Sequence, residues 1–409
     1  MEKQFTATEC QPRKDDGDCC RPCYDFDSVI DRHGTGAIKI DALQQLFGRT
    51  DITPLWIADM DFQVCPDIVD ALRRRFAHPV YGYGCPSDGY WQSIIDWLDS
   101  RHGFKVGRDE LMFVSGVVCG LAYAVNYFTR EGDGIIIQPP VYHPFKMVIE
   151  GNHRRVLNNP LIETPEGFYR MDLDGLERIM ATEHPRMMVL CNPHNPIGIQ
   201  WDRETLRRVA ALARRHGVIV VSDEIHGDLM LYGREHYPFA SVSDDAEAVA
   251  VTLGAPSKTF NIPGVVSSWV IVKNPELRDG FFKWLESNHF NEPTFAAVVA
   301  TEAAYRHGEE WLRQMLSYVE GNIAAVEEAL AGEPRIRAVR PQASFLVWLD
   351  CRGLGLSHAE LIDLFVNKAR MALNDGTMFG SEGEGFMRLN VATPRSVLLD
   401  SIHRLLCAL

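Results

Sequence analysis

Gly254-Ala255-Pro256-Ser257-Lys258-Thr259-Phe260-Asn261 follows the apolar run Ala248-Val249-Ala250-Val251-Thr252-Leu253. The run is short and rich in β-branched residues, which predicts a buried strand, and the glycine and proline after it predict a turn. A lysine at the carboxyl end of a central strand faces the crevice in which open α/β sheets hold their ligands. Poor solvation there lowers the pKa of Lys258 and makes its amine a nucleophile. On these residues alone, a lysine in a surface loop is the simpler interpretation, and the rest of the chain reverses it.

The composition is that of an ordinary globular protein, with 409 residues of which 46% are hydrophobic and 23% are charged. A chain of this length can bury a large core and predicts two or three domains. The net charge of -14 argues against nonspecific nucleic-acid binding, and no apolar run approaches the roughly 20 residues that a membrane helix needs. Met1-Glu2-Lys3-Gln4-Phe5 lacks the apolar core of a signal peptide. We therefore expect a cytoplasmic protein whose cysteines are mostly reduced.

Residues 1–23 are polar and contain four of the ten cysteines, which are Cys10, Cys19, Cys20 and Cys23. Cys20-x-x-Cys23 could ligate zinc or form a redox pair. Since no second matched Cys/His pair follows, a flexible tail is the preferred interpretation, and we expect no metal.

Four further features follow predicted strands, as Lys258 does. They are the helix-start turn at Ser115 after Phe113-Val114, Tyr142 after Ile135-Ile136-Ile137, Asn195 after Met187-Met188-Val189-Leu190, and Asp223 after Val218-Ile219-Val220-Val221. Each has an ordinary alternative. Any βα unit contains a turn like the one at Ser115, Tyr142 fits a core, Asn195 fits a structural turn and Asp223 fits a helix cap. Each is therefore a weak signal alone.

Together the five features match the requirements of pyridoxal phosphate. Lys258 supplies the amine for a Schiff base, and Asp223 supplies the carboxylate that keeps the pyridine nitrogen protonated, so that the ring can accept electrons. Asn195 can donate a hydrogen bond to the phenolate oxygen, and Tyr142 can stack on the ring. The helix that starts after Ser115 can bind the phosphate with its exposed N–H groups.

With these five features, the chain resembles the fold-type-I pyridoxal phosphate enzymes of the aspartate aminotransferase superfamily. Within that superfamily it is most similar to the MalY/PatB-type branch, the cystathionine β-lyase-like carbon–sulfur lyases. The resemblance extends from about Tyr24 to the C-terminus. It is carried by the motifs Pro54-Leu55-Trp56-Ile57-Ala58-Asp59-Met60-Asp61-Phe62, Gln138-Pro139-Pro140-Val141-Tyr142, Cys191-Asn192-Pro193-His194-Asn195-Pro196-Ile197-Gly198, Ser222-Asp223-Glu224-Ile225-His226, Ala255-Pro256-Ser257-Lys258-Thr259-Phe260-Asn261 and Gly385-Phe386-Met387-Arg388-Leu389-Asn390.

The resemblance implies further binding roles. Arg388 matches the arginine that binds the substrate α-carboxylate, a task that suits a bidentate guanidinium. Val117, Val118 and Ser257 fall where phosphate contacts are expected, and His226 falls where aminotransferases often carry a tyrosine near the ring oxygen. From the residues alone, Arg388 would also pass as a surface residue on a strand.

Tyr83 resembles the tyrosine that reaches the phosphate of the neighbouring subunit, which implies a homodimer with shared active sites. The alternative is a packed turn at Tyr81-Gly82-Tyr83-Gly84. Asp59 and Tyr83 are the only candidates for the pocket that receives the substrate side chain. Asp59 and Asp61 could equally form a turn that caps the helix after Pro66.

Two positions depart from the family pattern. The superfamily carries a phosphate-binding arginine eight residues after the lysine, where this chain has Val266. Because the lyase branch usually lacks that arginine too, Val266 favours the branch over a generic aminotransferase. The branch often has Thr or Cys four residues before the lysine, where this chain has Gly254, so a side chain near the phosphate is missing. The cysteine-rich tail has no counterpart in the pattern.

The resemblance implies an α/β protein of aspartate-aminotransferase-like fold type I. We expect a large cofactor-binding domain (residues 65–310) with a mostly parallel seven-stranded sheet, and a smaller α+β domain (residues 24–64 and 311–409). The implied function is cleavage of L-cystathionine or related L-cysteine S-conjugates to a thiol, pyruvate and ammonia. A pyridoxal phosphate-dependent aminotransferase is the first alternative. The second is a regulatory protein that keeps the cofactor and acts through a protein partner.

Overall fold

The computed structural model describes residues 22–165 and 167–409. Cys10, Cys19 and Cys20 lie outside these residues, and with them most of the predicted tail and one member of the predicted Cys20–Cys23 pair. Within the described ranges, no helix is both long enough and apolar enough to cross a membrane. The same ranges contain no group of three or more His, Cys, Asp or Glu side chains that could hold a metal ion.

Helices and strands alternate along most of the chain. The strands are β1 (Thr53–Pro54), β2 (Leu111–Val114), β3 (Gly134–Ile137), β4 (Arg155–Asn158), β5 (Ile162–Glu163), β6 (Tyr169–Arg170), β7 (Met187–Cys191), β8 (Ile219–Asp223), β9 (Ala250–Gly254), β10 (Ser268–Ile271), β11 (Arg337–Val339), β12 (Leu346–Asp350), β13 (Met371–Ala372), β14 (Asn374–Asp375) and β15 (Phe386–Asn390). The α-helices are α1 (Ile38–Asp41), α2 (Leu43–Phe47), α3 (Pro66–Phe76), α4 (Asp88–His102), α5 (Val117–Phe128), α6 (Pro144–Gly151), α7 (Leu173–Glu183), α8 (Arg203–His216), α9 (Asp244–Val249), α10 (Pro256–Thr259), α11 (Pro275–Ser287), α12 (Phe295–His307), α13 (Glu309–Leu330), α14 (His358–Asp363) and α15 (Arg395–Ala408).

The largest sheet has seven strands in the order β2-β10-β9-β8-β7-β3-β4. From β9 to β4 every neighbouring pair is parallel, and β10 runs antiparallel between β2 and β9. Parallel strands need a crossover connection, and α8 connects β7 to β8 while α9 lies between β8 and β9 in the chain. The predicted mostly parallel seven-stranded sheet is confirmed.

Both faces of this sheet are buried. In β7, Met187 and Val189 pack into one hydrophobic cluster, whereas Met188 and Leu190 pack into another. Successive side chains of a strand point to opposite faces, so the two clusters cover the two sides of the sheet. A sheet covered on both sides needs apolar residues at nearly every strand position. This is why the strands could be located in the sequence as short continuous apolar runs.

A second, antiparallel sheet lies in the C-terminal part of the chain, in the order β11-β12-β15-β14. The N-terminal residues reach this part of the molecule, because β1 pairs in parallel with β13 and Thr53 lies opposite Met371. The boundaries of the two expected domains, including the grouping of residues 24–64 with residues 311–409, stay a prediction.

The structure moves the start of β9 and defines the turn that follows it. Val249 ends helix α9, whose N-terminus is capped by the Ser243 hydroxyl, so the strand begins only at Ala250. After the strand, the predicted turn is a single helical turn formed by Pro256–Thr259. Proline is favoured at the first helical position because an N–H there would have no partner within the helix. Lys258 is therefore held on a short helix.

Helix α8 connects β7, which precedes Asn195, to β8, which ends at Asp223. The N-terminal cap of α8 offers a test of the fold. The Asp202 carboxylate accepts a hydrogen bond from Thr205 N at 2.8 Å and so caps the N-terminus of α8. We expect Asp202→Ala to lower the free energy of unfolding by about 1 kcal/mol, because the N–H loses its acceptor. Asp202→Asn keeps an acceptor and should unfold like the wild type. Urea denaturation followed by circular dichroism measures both, and equal losses in the two variants would contradict the capping role.

Candidate active site

A cavity of about 250 Å³ lies where β7 and β8 end, and most of the predicted site residues line it. The register brings these strand ends together, because Cys191 is opposite Asp223 and Asp223 is opposite Leu253. The predicted residues that line the cavity are Ser115, Val117, Val118, Tyr142, Asn195, Asp223, His226, Ser257 and Lys258. Arg388, Asp59 and Tyr83 are not among its lining residues, and each has surroundings of its own, described below.

Lys258 extends from α10 into the cavity. Its Nζ donates a hydrogen bond to the Ala58 carbonyl oxygen at 2.6 Å. Burial lowers the pKa of Lys258 to about 8, with Asp59 and Asp223 opposing the change and Arg388 adding to it. An amine with this pKa is still mostly protonated near neutral pH, but its neutral fraction is far larger than that of a solvated lysine, and the neutral form can act as a nucleophile or accept a proton.

Asp223 ends β8 and is only 5% exposed. Its Oδ1 accepts a hydrogen bond from Ile225 N at 3.1 Å, and it forms no ion pair with any described side chain. Burial raises the pKa of Asp223 to about 7. A ligand that places a cation or an acidic N–H here would oppose this shift and favour the carboxylate.

Three further side chains complete the walls near Asp223. Asn195 is buried, and its Oδ1 accepts from Arg388 Nη1 at 3.0 Å, so the amide Nδ2 is the group that Asn195 can donate to a ligand. His226 is 3% exposed, and its Nδ1 has no hydrogen-bond partner among the described residues. Burial, reinforced by Lys258 and Arg388, lowers the pKa of His226 to about 3, which keeps the ring neutral. Tyr142 is half-buried, and burial raises its pKa, so its hydroxyl stays protonated.

Helix α5 points its N-terminus at the cavity. The helix begins at Val117 after Gly116, whose φ of 152° favours glycine, and no described side chain caps it. The N–H groups of a first helical turn have no intrahelical partner and attract anions. Val117, Val118 and Ser257 all line this part of the cavity, which suits a phosphate.

Arg388 lies on β15 and is 4% exposed. Besides Asn195, its guanidinium donates to Asn374 Oδ1 at 2.5 Å and to the Trp56 carbonyl at 3.2 Å, and it lies over the ring of Phe379. Its Nε has no partner among the described residues. Burial lowers the pKa of Arg388 to about 10, so the group remains a cation at neutral pH. The described surroundings hold this cation with neutral oxygens, which leaves it free to bind an anion.

Residues 56–62 connect Arg388 to Lys258. Arg388 binds the carbonyl of Trp56, Asn390 Nδ2 binds those of Ile57 and Asp59 at 2.8 and 2.7 Å, and Lys258 binds that of Ala58. Asn261, three residues after Lys258, exchanges hydrogen bonds with the backbone of Met60. This one segment, called the 56–62 segment below, therefore fixes the predicted carboxylate-binding group and the amine relative to each other.

Basic side chains from an earlier part of the chain bind the acidic residues of the 56–62 segment. Asp59 pairs with Arg32 at 2.7 Å and Asp61 pairs with Lys39 at 2.8 Å, and Lys39 is completely buried. The capping alternative for the two acids is wrong, because Cys65 is the N-cap of α3. The Asp59 carboxylate is engaged by Arg32, and its role in substrate binding stays a prediction.

The two departures from the family pattern have different surroundings. Val266 lines the cavity with φ of 56° and is 49% exposed, so the position of the missing arginine is open and apolar. A Cβ at Gly254 would lie 2.2 Å from the Trp269 ring. Glycine at this position is therefore explained by the neighbouring tryptophan, and Gly254 does not line the cavity.

Sequence reasoning missed Ala58, Asn261, Asn374 and Asn390. Asn390 had a usable signal, because it is two residues from Arg388 on a strand and therefore on the same face. Ala58 acts through its carbonyl oxygen, and Asn261 and Asn374 act on distant parts of the chain, so local patterns gave no sign of them.

The donor set fits pyridoxal phosphate. Around one cavity the described residues present an amine with a lowered pKa, a buried carboxylate without an ion-pair partner, an unpartnered imidazole nitrogen, an aromatic ring and an uncapped helix N-terminus. These are the groups that can bind the aldehyde, the ring nitrogen, the ring face and the phosphate.

Known proteins resemble this chain in sequence and in structure. A family model described as aminotransferase class I and II matches residues 50–405. Cystathionine beta-lyase PatB of Bacillus subtilis (strain 168) is 43% identical over 385 residues, which cover 94% of this chain and 99% of that protein. Protein MalY of Escherichia coli (strain K12) is 32% identical over 389 residues, with 94% and 99% covered. The crystal structure of a PLP-bound C-S lyase from Staphylococcus hominis superposes with a TM-score of 0.87 at 31% identity, covering 95% of this chain and 98% of the other.

The lowered pKa of Lys258 predicts how the cofactor-free protein reacts with pyridoxal phosphate. Because only the neutral amine attacks an aldehyde, the rate of covalent attachment should rise with pH through about 8 and level off above that value. Stopped-flow absorbance measures the rate, and Lys258→Ala, which has no amine to attach, is the control. A rate that keeps rising to about pH 10.4, the pKa of a solvated lysine, would contradict the effect of burial.

Proposed function

Because the chain belongs to the class I and class II aminotransferase family, we propose that it is a pyridoxal phosphate-dependent carbon–sulfur β-lyase. Its substrates are L-cystathionine or related L-cysteine S-conjugates, and its products are a thiol, pyruvate and ammonia. The observation that carries this conclusion is the 43% identity to a cystathionine β-lyase over 94% of the chain. The cavity lined by Lys258, Asp223 and Asn195 agrees with it.

Pyridoxal phosphate, when bound, supplies a ring that withdraws electrons from the Cα of the amino acid. We assign its covalent attachment to Lys258. Asp223 would keep the ring nitrogen protonated, and its burial would strengthen the resulting ion pair. Asn195 and the neutral His226 would bind the ring oxygen, Tyr142 would stack on the ring, and the N-terminus of α5 with Ser257 would bind the phosphate.

Arg388 orients the substrate. Its guanidinium binds the α-carboxylate, exchanging a contact with a neutral oxygen for a charge-assisted bond. Since the 56–62 segment fixes Arg388 relative to Lys258, the Cα–H of a bound amino acid is presented to the amine. Holding the Cα–H close to the amine favours removal of the Cα proton.

Lys258 moves the proton at Cα. When it is not attached to the cofactor, Lys258 Nζ would be the base that takes the Cα proton, and its pKa of about 8 suits proton transfer near neutral pH. The Ala58 carbonyl accepts one of its N–H bonds and so directs the lone pair. Loss of the sulfur from Cβ then yields the thiol, and hydrolysis of the remaining fragment yields pyruvate and ammonia.

The assembly that we propose is a homodimer, and we keep the cytoplasm as the expected location. Tyr83 is fully exposed and absent from its own cavity, as expected of a residue that serves a neighbouring site. Exposed apolar side chains lie shortly before it in the chain, and exposed apolar surface of this kind is typical of an interface. They are Phe76, Val80 and Tyr81.

A direct assay separates the lyase from its alternatives. We expect purified protein with pyridoxal phosphate to release pyruvate from L-cystathionine without any added keto acid. Lys258→Ala should lose both this activity and the absorbance of the covalently attached cofactor. Coupled lactate dehydrogenase measures pyruvate. Amino transfer that requires a keto acid would indicate the aminotransferase instead, and cofactor binding without either activity would indicate the regulatory protein.

Mixed dimers test the shared site. Tyr83→Phe alone should lower activity by roughly tenfold, because one hydrogen bond to the phosphate is lost. When Lys258→Ala and Tyr83→Phe chains are co-expressed with different tags and the mixed dimer is isolated, one of its two sites should be wholly wild type. Its activity should then approach half that of the wild-type dimer. If Tyr83 acted within its own subunit, the mixed dimer would be no more active than half of the Tyr83→Phe dimer.

A further inference from the structure

Asp228 is a buried acid that none of the roles above uses. It follows Asp223 by five residues and is 8% exposed, and it does not line the cavity. The backbone between the two acids is folded tightly, with Gly227 N bonded to the Glu224 carbonyl and Leu229 N to that of His226. Asp228 is thus fixed to the same loop that carries two of the cofactor-binding residues.

Groups from two other elements bind the Asp228 carboxylate. From the end of α4, Trp97 Nε1 and His102 Nε2 lie 2.9 Å from Oδ1, and Arg101 Nε lies 3.2 Å from it. From α10, the Thr259 hydroxyl donates to Oδ2 at 2.8 Å. Burial alone would raise the pKa of Asp228, but the bonds and charges of His102, Arg101 and Thr259 hold it well below its usual range. The acceptor therefore stays ionised.

Thr259 directly follows Lys258 and is completely buried. Helix α10 has a single turn, and one backbone bond, from Phe260 N to the Pro256 carbonyl at 2.9 Å, closes it. So short a helix has little stability of its own, and its orientation depends on contacts with its surroundings. Successive side chains of a helix are about 100° apart. A fixed direction for Thr259 therefore also fixes the direction in which Lys258 leaves the turn.

We propose that Asp228, through the Thr259 hydroxyl, is a positioning residue that sets the direction of the Lys258 side chain relative to Asp223. Lys258 and Asp223 come from the ends of different strands. Asp228 bonds the loop that follows Asp223 to the turn that contains Lys258. The inference rests on the proposed function for the role of Lys258 in proton transfer. The placement of the amine itself can be measured without any reaction.

The test removes the hydroxyl without changing the shape of the side chain. Thr259→Val has no donor for Asp228, whereas Thr259→Ser keeps the donor and loses only a methyl group. Thr252→Val is the matched control, because Thr252 is completely buried on the strand that leads to the same turn and its hydroxyl has no partner among the described residues. If Thr259→Val does not fold, Thr259→Ala removes the same hydroxyl and is used in place of the valine variant.

The first readout is the pKa of Lys258 in the cofactor-free protein. NMR of reductively ¹³C-methylated protein reports it, with Lys258→Ala identifying the resonance. We expect Thr259→Val to raise this pKa from about 8 toward the roughly 10.4 of a solvated lysine, because an amine that is no longer directed into the cavity regains water. Asp59, Asp223 and Arg388, the charges that face Lys258, are unchanged in all variants. Thr259→Ser and Thr252→Val should keep the wild-type value.

The second readout is steady-state pyruvate release by the holoenzyme. Thr259→Val should lower kcat by roughly ten- to a hundredfold, because the base is misplaced, while KM changes little since Arg388 is untouched. Thr259→Ser should restore most of kcat. Wild-type pKa and kcat in Thr259→Val would overturn the inference, and so would equal losses in Thr259→Val and Thr259→Ser. If the wild type released no pyruvate, the proposed function would fail, and the pKa comparison would still decide the role of Asp228.

Discussion

The burial of the Lys258 amine is the constraint on which the rest of the site depends. An ammonium group loses its hydration in the cavity, so its pKa falls to about 8. Burial changes the pKa of Asp223 in the opposite direction, because it raises that pKa to about 7. Two groups that would be fully charged in water therefore both titrate near neutral pH. Each can gain or lose a proton at little cost, which is the property that acid–base chemistry requires.

Some charged side chains near the site are paired with an opposite charge, whereas the Arg388 cation is bound by neutral oxygens. Asp59 and Asp61 are paired with Arg32 and Lys39 outside the cavity. Arg388, in contrast, is oriented by amide and carbonyl oxygens, which hold a guanidinium without neutralising it. A carboxylate in place of Asn195 or Asn374 would compete with an anionic substrate for the same cation. The neutral acceptors thus give direction to the guanidinium while its charge stays available to the ligand.

Much of the site could be predicted because its residues follow short apolar runs, and that local pattern is readable. Asp223, Asn195 and Lys258 line one cavity because parallel strands end at one edge of the sheet. The contacts of the 56–62 segment could not be predicted in this way, because Ala58 and Lys258 are 200 residues apart. Gly254 was interpreted from the family pattern, but its reason is a neighbouring strand, where Trp269 occupies the space of a side chain.

The bond between Arg388 and Trp56 joins residues that are 332 positions apart. Contacts between residues so far apart in sequence form late in folding, because the entropy of the intervening chain must first be lost. During synthesis, the strand ends that carry Asp223 and Lys258 emerge from the ribosome long before β15 does. A chain interrupted before Arg388 would have no cation for the carboxylate, and it would lack the bonds that Arg388 and Asn390 make to the 56–62 segment. The lyase that we propose is therefore completed only when the last strand has been made.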